Sequence, residues 1–92
     1  MLFTFYNIIY KKSIEDWIVV TGEIANESRK NYTTAVFRLV IFDREHAIGT
    51  GFFKISNFRS RGIKNFEVLI FGLHHRFIPK ISRCDIMMES GY

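Results

Sequence analysis

The chain has 92 residues, of which 48% are apolar, 16% aromatic and 24% charged, with one proline and a formal charge of +4. That length suits one small domain spanning 1–92 rather than two, and the apolar load excludes a disordered chain, which could not bury enough surface to offset its ordering entropy. The single cysteine, Cys84, excludes an internal disulfide, and the positive surplus falls short of the dense basic stripe of a dedicated nucleic-acid binder.

The first apolar segment, residues 3–10 (FTFYNIIY), is predicted to be a strand closed by Lys11, Lys12 and Ser13. No basic region precedes it and tyrosines interrupt it, so it reads as a strand rather than a secretory leader. No apolar run in the chain reaches the ~18 residues of a membrane-spanning helix. Residues 17–26 (WIVVTGEIAN) form the second strand, with Ile18, Val20, Gly22 and Ile24 on one face. A helix drawn through this stretch fails on its β-branched run and on Gly22, which is expected to mark a bulge.

A polar loop leads to a third strand at about 34–42. Ala35, Phe37, Leu39 and Ile41 make one wholly apolar row, while Arg38 interrupts the other, as in a sheet with one face on a core. The fourth strand, about 47–55, places Gly49 and Gly51 on one row, a sign of a bulge or of close backbone approach. A basic loop with Arg59, Arg61 and Gly62 precedes the fifth strand at 63–71, where Phe66, Val68 and Ile70 align. The last strand is predicted near 80–88, with Cys84, Ile86 and Met88 on one face.

Short strands joined by short connections favour antiparallel neighbours, since parallel ones need long crossovers. The fold class expected is all-β, two antiparallel sheets packed face to face, with six to seven strands and a small closed barrel as the alternative.

Three segments together resemble the FxLYD family: Gly22, Asn26 and Ser28 in GEIANES, then Leu39, Ile41, Phe42 and Asp43 in LVIFD, then AIGTG at 47–51. Asp43 matches the family signature identically and its neighbours by conservative exchange, while Gly62 and Phe66 fall where the family has a turn glycine and a strand phenylalanine. The resemblance spans about 17–70. It implies an immunoglobulin-like β-sandwich from a bacterial or archaeal protein, in an extracytoplasmic or membrane-associated setting, without catalytic activity or cofactor.

Residues suited to chemistry are few. Asp43, with Arg44, Glu45 and His46, fits the wet tip of a hairpin, its carboxylate bonding a backbone N–H two residues on. Asn26 and Ser28 read as turn formers. His74, His75 and Cys84 carry none of the spacings of a metal or nucleophile motif, and Cys84 lies in an apolar row. No metal, cofactor or catalytic residue is expected.

The remaining lead is a basic set, Arg59, Arg61, Lys64, Arg76, Lys80 and Arg83, interleaved with Phe58, Phe66 and Phe77. Basic groups beside exposed aromatics stack single-stranded nucleic acid, but a small core has its own use for those rings. A protein-interaction or accessory module contacting a protein or cell-envelope partner is therefore the first expectation, and a weak single-stranded nucleic-acid binder the alternative. The oligomeric state is left open. Asn26-Glu-Ser28 and Asn31-Tyr-Thr33 form glycan acceptor sequences, of consequence only in a eukaryotic secretory route.

Overall fold

The computed structural model describes residues 2–92; position 1, the first of the span read as one domain, lies outside the described residues. Six strands follow in order: β1 (Phe3–Lys12), β2 (Trp17–Asn26), β3 (Tyr32–Asp43), β4 (His46–Phe58), β5 (Ile63–His74) and β6 (Arg83–Gly91). A 3-10 helix, His75–Lys80, joins the last two. The strands form two antiparallel three-stranded sheets, with orders β1-β2-β5 and β4-β3-β6. Neither β4 with β5 nor β1 with β6 is hydrogen-bonded among the described residues, so the sheets do not close into a barrel.

The period-two apolar rows decide which faces meet. Ile18, Val20 and Ile24 of β2, the row Ala35, Phe37, Leu39 and Ile41 of β3, Phe53 and Ile55 of β4, and Phe66, Val68 and Ile70 of β5 are all buried in one cluster. Burial of each of these side chains larger than Ala35 contributes on the order of 1.5–3 kcal/mol. Across the layers Phe53 stacks on Phe66 with centroids 4.5 Å apart, and Phe3 meets Phe37 edge-on at 5.2 Å.

The two long sides of the sandwich differ. Along β4 and β5 the glycines let the layers touch: a Cβ on Gly51 would lie 2.7 Å from Val68 Cγ2, and one on Gly49 2.7 Å from Ile70 Cγ2. That side is sealed. Along β1 and β6, Phe5, Ile8 and Tyr10 and, opposite, Cys84, Ile86 and Met88 are only partly buried.

Two details differ from expectation. The bulge assigned to Gly22 lies on the partner strand, where the register slips between Tyr6 and Ile9 and Asn7 takes a φ of 54°. Gly22 itself stays in regular register with Phe66 and leaves room for that ring and for Ile8, each within 2.9 Å of where a Cβ would stand. The last strand starts at Arg83 rather than near 80, because Lys80 still belongs to the 3-10 helix and the capping Ile81 donates its N–H back to the Ile78 carbonyl.

Asn26 holds one end of the sandwich together. Fully buried, it donates from Nδ2 to the Lys30 carbonyl at 2.9 Å and the Phe58 carbonyl at 3.2 Å. Its Oδ1 accepts from the Ser28 N–H at 3.0 Å and the Ser28 hydroxyl at 2.6 Å. Ser60 Oγ donates to the Ser28 carbonyl at 2.5 Å, and the Arg61 N–H to the Asn26 carbonyl at 2.7 Å, so the 27–31 loop is bound to the 59–62 turn. The first and last described residues lie here as well: Glu27 N–H donates to the Leu2 carbonyl at 2.8 Å, and Tyr92 exchanges bonds with Thr34 at 3.0 and 3.2 Å.

Candidate interaction surface

The residues singled out from sequence occupy turns, edges and core. Asp43 closes β3 and pairs in register with His46, leaving Arg44 and Glu45 as the hairpin tip. The tip is held from outside: Arg44 takes a φ of 55°, its N–H donates to Ser82 Oγ at 2.6 Å, and its carbonyl accepts from Arg83 Nη1 at 3.1 Å. In place of the side-chain bond expected from Asp43 stand these contacts to Ser82 and to Arg83 at the start of β6. Ile48 is the extra residue where β4 slips register next to Gly49. Gly62 turns the chain into β5; its N–H donates to the Arg59 carbonyl at 2.9 Å, and that same oxygen leaves no space for a Cβ.

The histidine rings of His74 and His75 stack 4.4 Å apart, and His74 Nδ1 accepts the Arg76 N–H at 3.0 Å as the cap of the 3-10 helix. Cys84 sits on β6 against the Tyr10 hydroxyl; burial raises the Tyr10 pKa well above its ordinary value, and the contact with Cys84 adds to the rise. No three His, Cys, Asp or Glu side chains converge as a ligand set among the described residues.

The six basic residues fall into two groups. Arg59, Arg61 and Lys64 surround the Asn26 end of the sandwich, where Lys64 pairs with Ile24. Arg76, Lys80 and Arg83 surround the other end, by the 3-10 helix and the Arg44 hairpin tip, ten or so residues of strand away, or about 33 Å at the usual rise. Phe58 and Phe66, two of the rings interleaved with them, are buried in the core, and Phe77 is partly buried.

A surface that the sequence reading did not single out lies on the outer face of the first sheet. The register sets Lys11, Val19 and Leu69 side by side across β1, β2 and β5, and Ile9, Thr21 and Glu67 in the next row. Beyond them Trp17 lies against Phe71, with ring centroids 5.9 Å apart. Phe71 is 81% exposed, Ile9 54% and Leu69 41%, and Ile14 at the tip of the adjoining turn is 97% exposed. This turn is fixed rather than loose: Ser13 exchanges bonds with Trp17 at 2.8 and 3.0 Å, and the Asp16 carbonyl accepts the His75 N–H at 2.9 Å. A shallow hollow between the turn and the sheet is lined by Lys11, Ile14, Val19, Glu67 and Leu69.

An apolar patch with an aromatic pair at one end and Lys11, Lys12, Glu15 and Glu67 around it has the make-up of a contact surface. The sequence held one sign of it. On β5, Leu69 continues the row of Asn65 and Glu67, the row opposite the core residues, where a solvated strand carries polar groups.

Comparison of the chain with family models, with curated proteins and with solved structures finds no match.

Proposed function

We propose that this chain is a non-catalytic interaction module that binds a protein partner through the outer face of β1, β2 and β5. The observation that carries the reading is the exposed apolar patch that ends in Trp17 and Phe71. Leaving a phenylalanine 81% exposed forgoes burial energy on the order of 1.5–3 kcal/mol, and aromatic anchors inside a charged margin are what dominate binding at protein interfaces.

We further propose that the architecture is an immunoglobulin-like sandwich of the FxLYD kind. The first, second and fifth strands share one sheet, while the third pairs with the sixth and is flanked by the fourth in the other. That order supports the immunoglobulin arrangement, in which sheets of the ABE and CF type face each other. The place of Asn26 and Gly62 in one interlocked pair of loops, and of Asp43 at the start of a two-residue hairpin tip, gives the resemblance residues a common structural purpose. An extracytoplasmic or membrane-associated setting belongs to the same proposal and rests on the resemblance.

The test uses affinity capture with three proteins: wild type, Phe71→Lys in the patch, and Phe52→Lys on the outer face of the other sheet as a control. A protein retained by wild type and Phe52→Lys but depleted more than about tenfold with Phe71→Lys supports the reading. Capture indifferent to Phe71→Lys refutes it. The chain has one tryptophan, and it lies in the patch, so the emission of Trp17 reports directly on occupancy.

A further inference from the structure

We infer that two copies of this chain associate by antiparallel pairing of β6 with β6, in a register centred on Ile86. The inference concerns a different surface from the Trp17–Phe71 patch and rests on the open side of the sandwich.

Each sheet has two edge strands, and most carry a device against further pairing. β1 is bulged at Asn7 and ends in Lys11 and Lys12, while β4 and β5 lie edge by edge with a bulge at Ile48 and a positive-φ Gly72. Lysines and bulges of this kind blunt an edge. β6 is bonded on one side to β3, has no hydrogen-bonded neighbour on the other among the described residues, and contains neither lysine nor proline. Its only irregularity is the extra residue Glu89 near its end, leaving 83–88 in straight register. Beside this edge the core is incompletely covered, since Cys84, Ile86 and Met88 are partly buried, as are Phe5, Ile8 and Tyr10 across the gap. A strand added here satisfies the free backbone groups and covers an apolar row in one step.

The side chains of β6 select a second β6 as that strand. Arg83, Asp85, Met87 and Glu89 lie on the outer face: Arg83 packs over the Phe42 ring at 4.0 Å and reaches Asp85 at 3.3 Å, and Arg38 touches Met87 Sδ at 3.2 Å and Glu89 at 2.7 Å. In an antiparallel pair, residues facing each other must share a face, so the register can move only in steps that preserve this. Centred on Ile86, Arg83 faces Glu89 of the other copy twice over, Asp85 faces Met87, Cys84 faces Met88, and Ile86 meets itself. Centred on Asp85, two Asp85 carboxylates collide; centred on Met87, Asp85 faces Glu89. Centred on Cys84, Arg83 faces Asp85, but β6 begins at Arg83 and only residues 83–85 of each strand overlap. Opposite charges across strands stabilise and like charges destabilise, so the register centred on Ile86 is the one that joins attractive charge pairs to pairing along the whole of 83–89. The result joins the β4-β3-β6 sheet of one copy to that of the other as one continuous sheet of six strands.

Sedimentation of the full chain over a range of concentrations tests this. The wild type is expected to dimerise reversibly. Arg83→Glu and Glu89→Arg, taken singly, each turn two attractive pairs per dimer into repulsive ones and weaken association about tenfold. Combined in one chain they restore it. Amide exchange in 83–88 is expected to slow as wild-type concentration rises, which tests the inference without any variant should Glu89→Arg disturb its pairing with Arg38. A chain that stays monomeric throughout, a dimer indifferent to the charge changes, or a dimer lost with Phe71→Lys overturns the inference. The first two outcomes leave the partner reading of the Trp17–Phe71 face intact, since that face is tested by its own substitution.

Discussion

Asn26→Ala tests the account of how this fold is held. Asn26 is fully buried and its amide serves four hydrogen bonds. Truncation to alanine leaves the Ser28 N–H and the Phe58 carbonyl without partners. The Lys30 carbonyl retains only the longer bond from Ser28 Oγ at 3.3 Å. Orphaning a buried polar group costs about 1–3 kcal/mol, and the small cavity adds to this. A total of about 3 kcal/mol is expected, a large fraction of the 5–14 kcal/mol or so typical of a domain this size. Urea unfolding followed by tryptophan emission reads it: at a slope of about 1–1.5 kcal/mol per molar, the midpoint falls by roughly 2–3 M.

Asn26→Asp sharpens the test. It keeps the acceptor for Ser28 but turns a carboxylate towards two carbonyl oxygens in a buried site, which raises the folded-state pKa of the new acid above its unfolded value. The variant is therefore least stable at neutral pH and regains stability as the pH falls through that raised value, the reverse of ordinary acid destabilisation. A loss below about 1 kcal/mol for Asn26→Ala, or an Asn26→Asp variant that only weakens on acidification, refutes the assignment of Asn26 as the buried tie.

Gly51→Ala places a methyl group 2.7 Å from Val68 Cγ2 and 3.1 Å from the Leu69 carbonyl, and is expected to cost about 1–3 kcal/mol by overpacking, seen as a lower melting temperature. Gly72→Ala meets no atom within 4 Å but must hold a φ of +85°, so a smaller loss of about 1 kcal/mol is expected from backbone conformation alone. Because the folded state favours the neutral Tyr10 phenol, its contribution is intact below about pH 10, the unfolded value. It is lost as the pH rises towards the higher folded value. Tyr10→Phe is expected to flatten that alkaline loss in unfolding titrations and to remove the corresponding step in absorbance at about 295 nm.

The core was legible because it obeys a simple period. The rows of β3 from Ala35 to Ile41, β4 from Gly51 to Ile55 and β5 from Phe66 to Ile70 alternate strictly, as do Ile18 and Val20 of β2, so their inward faces follow from sequence. β1 was legible as a strand but not by face, since the bulge at Asn7 shifts the inward set from Phe3 and Phe5 to Ile8 and Tyr10. The 3-10 helix was missed because six residues with one proline carry no periodic signal. The basic set looked continuous in sequence, yet β5 carries the chain from one end of the sandwich to the other between Lys64 and Arg76. The Trp17–Phe71 patch was hidden for a different reason. In a chain 48% apolar, most large side chains are needed inside, and only the register across three strands tells which ones are left over.

The placement of Leu2 and Tyr92 beside the Asn26 loops has a mechanical consequence. Leu2 and Tyr92 are tied to Glu27 and Thr34 at the same end, and each leads directly into an edge strand of a different sheet. Tension drawing Leu2 and Tyr92 apart would load β1 and β6 from their tips, so that ladder bonds break one after another instead of sharing the force. The molecule would open like a zip, at low force and from the side already short of cover. The sealed β4–β5 side, reached last, would keep the central strands β2 and β3 with their sheet partners until the edges had gone.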